Sequence, residues 1–490
     1  MIESTPRSAE RFRPNPFGAN ATTVATGPSD MNRIPGGLDT DRGPPMTVPF
    51  QHFLVGMGFL VVGVVGGTVA SVATFPGLDG AAHVHVTLVG WICLTIMGAM
   101  TQFVPVWSGV SLHSRRLAVA QLWLVAGGLL GFVAALGALA LWALPIVAAL
   151  MLAGFWLFVY NVGRTLWGAR PLDYTERHFA LALVSFALLA PLGFSLAVDF
   201  ASPVYGDLPV ARGEVLAVHA TLAVFGGITA TIVGAIAQLA AMFTQAERDA
   251  LQDRLETLEW ATFPTGLALL VVGRGLGLEL LAAVGALGVL VGLLAAALAL
   301  VRRLATATVD ASPMTDRYWL VAAALLAWIA LAAPAWLADP LDRATLLGHP
   351  DGTTLLVVGV FGFVVVGTLY HIVPFIVWME RYSDRVGLEP VPMIDDLYDR
   401  RIERADLAAT GLGVTGLAIG ELAGLSPAIV AGAGALATVG FCLFVANMVA
   451  TVHRHGPGGL GGVLAGRTAD DARTGRRGGS SGSGGRLLED

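Results

Sequence analysis

Apolar stretches about one bilayer thick recur along almost the whole chain, and short polar segments separate them. Ala217 to Phe243 and Leu355 to Trp378, for example, contain no Asp, Glu or Arg. An uncharged apolar run of about 18 residues or more is a membrane-span candidate, because about 20 helical residues cross the hydrocarbon core. Such runs predict twelve spans, at residues 49–74, 80–107, 117–141, 143–163, 178–200, 213–243, 258–274, 277–301, 318–338, 352–379, 406–422 and 427–452. Residues 1–48 are polar and rich in Pro, Gly and Asn, with no signal-peptide core, and read as a disordered cytoplasmic tail. Residues 456–490 include GGSSGSGG and read as a flexible cytoplasmic tail.

Composition agrees with the pattern. Of 490 residues, 55% are apolar and 13% charged, about half the charged share of a soluble domain; the mean hydropathy is +0.71. Every basic residue is Arg, and the net charge of −6 is spread over loops and tails, so nothing points to nucleic acid. With the N-terminus inside, the inner loops carry Arg115, Arg116, Arg164, Arg170, Arg177, Arg248, Arg254, Arg302, Arg303, Arg317, Arg381, Arg385, Arg400, Arg401 and Arg404. The outer loops carry only Arg212, Arg274 and Arg343. Fifteen against three places both termini in the cytoplasm of a multi-pass cell-membrane protein, with membrane lipid as its solvent. Cys93 and Cys442 lie inside apolar runs without a CxxC or Cys/His spacing, so they imply no disulfide frame or zinc site.

Three spans share a finer pattern. Gly90, Gly226 and Gly359 correspond, as do Gly98, Gly234 and Gly367; Gln102, Gln238 and His371 then fall together in approximate register, and Pro105 pairs with Pro374. These are the second, sixth and tenth spans. The expectation is an all-α membrane protein of about twelve helices in a pseudo-threefold bundle, with one special helix per group of four near the centre. Glycine pairs alone would serve close packing, but the polar residue in phase with them predicts an inner polar layer of Gln102, Gln238 and His371.

Of the ten histidines, His113, His453 and His455 fall in inner loops or tails, and His52 and His178 at inner span ends, where solvated or interfacial roles are expected. His83, His85, His219 and His349 lie at or just before the outer ends of the three special spans. Imidazoles from central helices at one depth suit haem iron or copper. His83 and His85 are two residues apart and point about 200° away from each other on a helix, so at most one faces the centre. Asp and Glu are absent from mid-span positions, which argues against a buried proton route. No Walker A, Rossmann or HExxH motif occurs.

The layout, with GTLYHIVPF in the tenth span and GAMTQFVPV in the second, resembles subunit I of the haem–copper oxidases, including the nitric oxide reductases. That likeness implies haem, with copper as a second candidate, and roles in respiratory electron transport or nitric oxide chemistry. It makes His83 or His85 a low-spin haem ligand and His219 a copper ligand. The chain departs from the family where a His-x-His pair would open the tenth helix. About Gly352 and Thr354 stand there, and only His349 upstream could substitute. It also lacks paired histidines in the seventh span and has HATLA where the family carries an HPEVY-like element. Locally, His83, His85, Gly90, Gly98, Pro105, Trp107 and Gly109 match the H-x-H-x4-G-x7-G-x6-P-x-W-x-G signature of the NnrS family, and His219-Ala220 is similar to a second element of that family. NnrS proteins are multi-span haem and copper proteins linked to nitric oxide stress. The resulting expectation is a divergent haem-binding membrane protein lacking the full binuclear ligand set. Cofactor candidates are His83, His85, His219 and His349; metal candidates are the first three. A redox partner subunit or quinone would be its partner, and whether it is an enzyme stays open. The alternative is a non-catalytic bundle of the same fold that binds a partner subunit, a quinone or a lipid, or carries a solute.

Overall fold

The computed structural model describes residues 43–73, 77 and 79–467. Most of the N-terminal tail and the C-terminal tail beyond residue 467 lie outside those residues. Among the described residues there is no strand. The long helices are α1 (Thr47–Ala70), α2 (Gly80–Ser108), α3 (Arg115–Gly137), α4 (Leu141–Gly168), α5 (Tyr174–Ala201), α6 (Arg212–Thr244), α7 (Ala250–Gly275), α8 (Glu279–Ala305), α9 (Pro313–Ala338), α10 (Leu355–Arg381), α11 (Arg400–Leu422) and α12 (Pro427–His455). Eleven of them are long and apolar enough to cross a membrane. The exception is α11: its 23 residues open with Arg400, Arg401, Glu403, Arg404 and Asp406, charges that lower its hydropathy. The protein is thus an all-α, multi-pass membrane bundle.

Helix starts follow capping chemistry. At the end of the bundle that carries both described chain ends, here called inner, Ser114, Asp173, Asp249, Ser312 and Asp399 cap α3, α5, α7, α9 and α11 by accepting backbone N–H bonds. The first N–H groups of a helix have no partner within it, and a short polar side chain supplies one.

Packing repeats three times. Within each unit two helices close on a glycine: Gly128 of α3 on α4, Gly266 of α7 on α8, and Gly413 of α11 on α12. A Cβ added at Gly266 or Gly413 would meet backbone nitrogen at 2.5 or 2.4 Å. Units join through α4–α5 and α8–α9, and the equivalent α12–α1 contact closes the ring. Helices α2, α6 and α10 are the central ones. In their most apolar stretches 67, 72 and 78% of residues are buried, against 22 to 56% in the other spans.

Each central helix contains an eight-residue π-helical segment: Val86–Cys93, Leu222–Thr229 and Leu355–Gly362. Their purpose is visible in the glycine contacts. Gly90 and Gly98 face Phe59 and His52 of α1; Gly226 and Gly234 face Ser185 and His178 of α5; Gly359 and Gly367 face Ala324 and Arg317 of α9. Eight residues on the central helix therefore match seven on its neighbour. Seven residues make almost two α-helical turns, whereas eight overshoot by about 80°. The wider π turns absorb the extra residue and return the second glycine to the same face. The repeat register is exact, closer than the sequence reading had it.

The stretch just after α12 differs from the flexible tail expected from its glycines. Gly459–Leu464 forms a short helix, α13, and Gln51 of α1 donates to the carbonyls of Val463 and Leu464 at 3.2 and 3.0 Å.

Candidate functional site

The outer histidines sort by the repeat. His83 and His219 each stand three residues before a π segment, and each ring lies over a glycine of the preceding helix. A Cβ at Gly67 would approach His83 Cε1 to 3.1 Å, and one at Gly193 would approach His219 Cε1 to 2.7 Å. Before α10 the third equivalent position is Gly352, in the turn Pro350–Gly352, and Ala332 stands at the position of the underlying glycine. His349 lies outside this register, three residues upstream and 40% exposed. There it accepts the Asp351 N–H at 3.2 Å and caps the turn Pro350–Gly352.

His85 and His219 share a further property. His85 Nδ1 lies 2.8 Å from the Ala81 carbonyl, and His219 Nδ1 lies 2.9 Å from the Leu189 carbonyl. A carbonyl only accepts, so each Nδ1 carries the proton and each Nε2 keeps the lone pair. A hydrogen bond from one ring nitrogen that leaves the other as a base is the arrangement of metal-ligating histidine. The two rings are near enough to interact electrostatically, and Phe132 packs 4.8 Å from the His85 ring. Two imidazoles with free Nε2 lone pairs are the donor type that holds a haem iron. They do not by themselves make the three-ligand set of a copper centre, and among the described residues no three of His, Cys, Asp or Glu group to hold a metal ion.

The inner polar layer has the expected register, but no hydrogen bond joins its members among the described residues. Gln102 Oε1 is buried without a partner. His371 lies among aromatic rings, edge-on to Phe243 at 4.0 Å and stacked on Phe375 at 5.9 Å.

What sequence reasoning missed is a ring of buried polar pairs. His52, His178 and Arg317 occupy one repeat position, each with its Cβ under the second central glycine. Glu259 faces His178 and Asp406 faces Arg317, and Gln121 holds the same repeat position in the first unit, each seven residues before Gly266, Gly413 or Gly128. His52 and His178, expected at the interface, are completely buried, as are Gln121, Glu259 and Asp406. In the second unit His178 Nε2 meets Glu259 Oε1 at 3.0 Å, and Tyr174 donates to Glu259 Oε2 at 2.5 Å. In the third, Arg317 binds Glu403 at 2.7 Å and Asp406, and Tyr370 donates to Asp406. In the first, His52 Nε2 and both amide atoms of Gln121 have no partner. Buried carboxylates therefore exist after all, placed near inner helix ends where their hydropathy cost is hidden by the apolar run that follows.

Two other buried cations stand out. Arg274 donates to Pro340 O, Thr221 Oγ1 and Leu346 O, tying the loop before α10 to α6 and α7. Arg303 pairs with Glu256, which Gln252 and Arg248 also bind. Arg303, Glu256 and Gln252 sit at one end of an apolar slot bounded by α6, α8, α9 and α10. A scan of protein-family models and a search of curated proteins both return no match for the chain.

Proposed function

We propose that this chain is a haem-binding membrane protein of respiratory or nitrogen-oxide redox chemistry, with His85 and His219 as the residues that would hold the haem. The observation that carries the reading is the pair of imidazoles from two central helices, near each other, each with Nδ1 committed to a carbonyl. Those carbonyls fix the ring planes and hold the lone pairs on Nε2, so little side-chain freedom remains to be lost on ligation. Held by both imidazoles, a haem would supply a one-electron carrier. The apolar helices around the pair would exclude water and set the dielectric. His83, equivalent to His219 in the repeat, is the third ligand candidate; His349 is the weakest, because it lies outside the register.

The twelve-helix count and the cytoplasmic termini belong to the same proposal. Arg303 and Arg317 sit in ion pairs and Arg274 is a buried tether. Without them the inner and outer arginines still number thirteen (fifteen less two) and two (three less one).

The test is a reduced-minus-oxidised spectrum with a pyridine haemochrome assay on purified protein made under haem-sufficient conditions. The expected result is a Soret band that His85→Ala and His219→Ala weaken or abolish and His349→Ala leaves in place. Wild-type protein without a Soret band sinks the reading.

A further inference from the structure

The inner end of the first unit carries positive charge that nothing on it neutralises. Residues 80–172 contain no Asp or Glu. Helices α3 and α4 lie wholly within that stretch, yet they carry Arg115, Arg116 and Arg164 to the inner end, and Arg170 follows in the turn after α4. Arg177 stands on the first turn of α5. The carboxylates beside it, Asp173 and Glu176, are engaged in the capping box of that helix. All five arginines are exposed, and among the described residues none forms an ion pair. The equivalent helix ends of the second unit show the contrast: Arg248 pairs with Asp253 and Glu256, Arg302 with Asp249, and Arg303 with Glu256. In the third unit Asp395, Asp396 and Asp399 share a cleft with Arg400, Arg401 and Arg454.

Hydrogen bonds gather the five cations. The His113 N–H donates to Thr165 Oγ1 at 3.1 Å, the Ser114 N–H donates to Asn161 Oδ1 at 2.9 Å, and Asn161 Nδ2 donates back to the Ser114 carbonyl at 2.9 Å. These bonds clamp the start of α3 to the last turns of α4, so Arg115 and Arg116 begin beside Arg164. On the other side Arg177 Nε donates to the Leu172 carbonyl at 3.1 Å, and the Arg170 guanidinium lies 3.5 Å from the centre of the Trp167 ring. An aromatic stripe continues from the charges along α4. Trp156, Tyr160 and Trp167 are exposed and fall within about 40° of one another around the helix. Gly163 lies between the last two, with nothing within 4 Å of the place of a Cβ.

We propose that this end of α3, α4 and α5 seats the headgroup of an anionic phospholipid from the adjoining leaflet. Guanidinium groups take phosphate oxygens in pairs, and several cations around one phosphodiester need no carboxylate. A choline or ethanolamine head would bring its own cation among them and is disfavoured. Exposed Trp and Tyr beside the charges are the side chains of the bilayer edge. The acyl chain runs from Trp167 past the notch at Gly163 toward Trp156, which fits a lipid and not a soluble anion. The proposal rests on the membrane-spanning bundle alone: a protein without haem keeps this seat.

The test titrates the full chain, purified in neutral detergent, with phosphatidylglycerol or phosphatidylcholine of the same acyl chains and counts bound lipid by native mass spectrometry. Phosphatidylglycerol is expected to bind at least about fivefold tighter. Arg115→Gln, Arg116→Gln and Arg164→Gln together should bring it down to the phosphatidylcholine level. Arg401→Gln, Arg404→Gln and Arg454→Gln together, at the inner end of the third unit, should leave the preference in place. If the first triple variant is not monodisperse, Arg164→Gln carries the test alone, with a partial loss of preference expected. No preference in the wild type overturns the proposal, and so does a preference that the folded first-unit variants keep. A preference lost equally in the third-unit variant would mean general charge attraction and overturn it too. A preference abolished by inorganic phosphate at matched ionic strength would assign the charges to a soluble anion instead.

Discussion

Replacing Glu259 by glutamine and by leucine should separate two kinds of buried polar pairing. Glu259 is completely buried and accepts from Tyr174 OH while facing His178 Nε2. His178 Nδ1 lies 2.9 Å from the Tyr174 carbonyl, so it holds one proton, and a second proton is shared between Nε2 and the carboxylate. In Glu259→Gln the new amide N–H can donate to a neutral Nε2, and the amide oxygen still accepts from Tyr174. Both bonds survive with less charge assistance, and two desolvated charges disappear. Bonds to charged groups contribute about 1.5–3 kcal/mol and neutral ones about 0.5–1.5 kcal/mol. The loss of about 1 kcal/mol per bond is offset by the relieved desolvation. The expected net change is within about 1 kcal/mol. In Glu259→Leu, Tyr174 OH and His178 Nε2 are both left unmet in the interior, at about 1–3 kcal/mol each, or about 2–6 kcal/mol in all. The assay is the midpoint of thermal loss of the monodisperse peak in detergent, compared across the two variants and wild type. Equal large losses in both variants would mean that the charge, not the hydrogen bonds, holds the pair. A leucine variant as stable as wild type would refute the burial argument itself.

Other perturbations test other contacts. Arg317→Met leaves Glu403 and Asp406 facing each other without their cation, and should cost about 3–5 kcal/mol, read as a lowered midpoint in the same assay. Gly266→Ala pushes a methyl to 2.5 Å from the Val289 nitrogen and should destabilise by about 1–3 kcal/mol, whereas Gly58→Ala, with nothing within 4 Å, should be neutral or mildly stabilising. Arg274→Met removes two hydrogen bonds from the loop before α10, at Pro340 and Leu346, and a third from Thr221 of α6. Limited proteolysis should then cut within residues 339–349 faster than in wild type, and an unchanged cutting pattern would show that the loop is held elsewhere.

The spans and the glycine repeat were legible because both depend on residue type at fixed spacing. Gly90, Gly226 and Gly359 must be glycine, since bulk from Phe59, Ser185 or Ala324 occupies the place of a Cβ. The buried pairs were not legible because what recurs is a position in the repeat, not a residue type. It holds histidine twice and arginine once, opposite glutamine, glutamate and aspartate. The partners also stand 81 residues apart in the second unit and 89 in the third, so nothing local links them. His349 lies just upstream of the tenth span, where its place in the sequence puts it. A sequence without coordinates does not reveal that Pro350 starts a separate turn and that the third unit has filled the histidine position with Gly352.

The α12–α1 contact means that the ring has no first unit. The chain enters it at α1, but the junctions before α5 and before α9 are the same kind of seam. Tethering the end of α13 to the start of α1 and opening the chain at residues 169–173 or 306–312 would leave every interhelical contact in place. Chain order would then matter for the route of insertion into the bilayer and not for the finished architecture, and a circular permutant that reaches the same assembled state would demonstrate that independence.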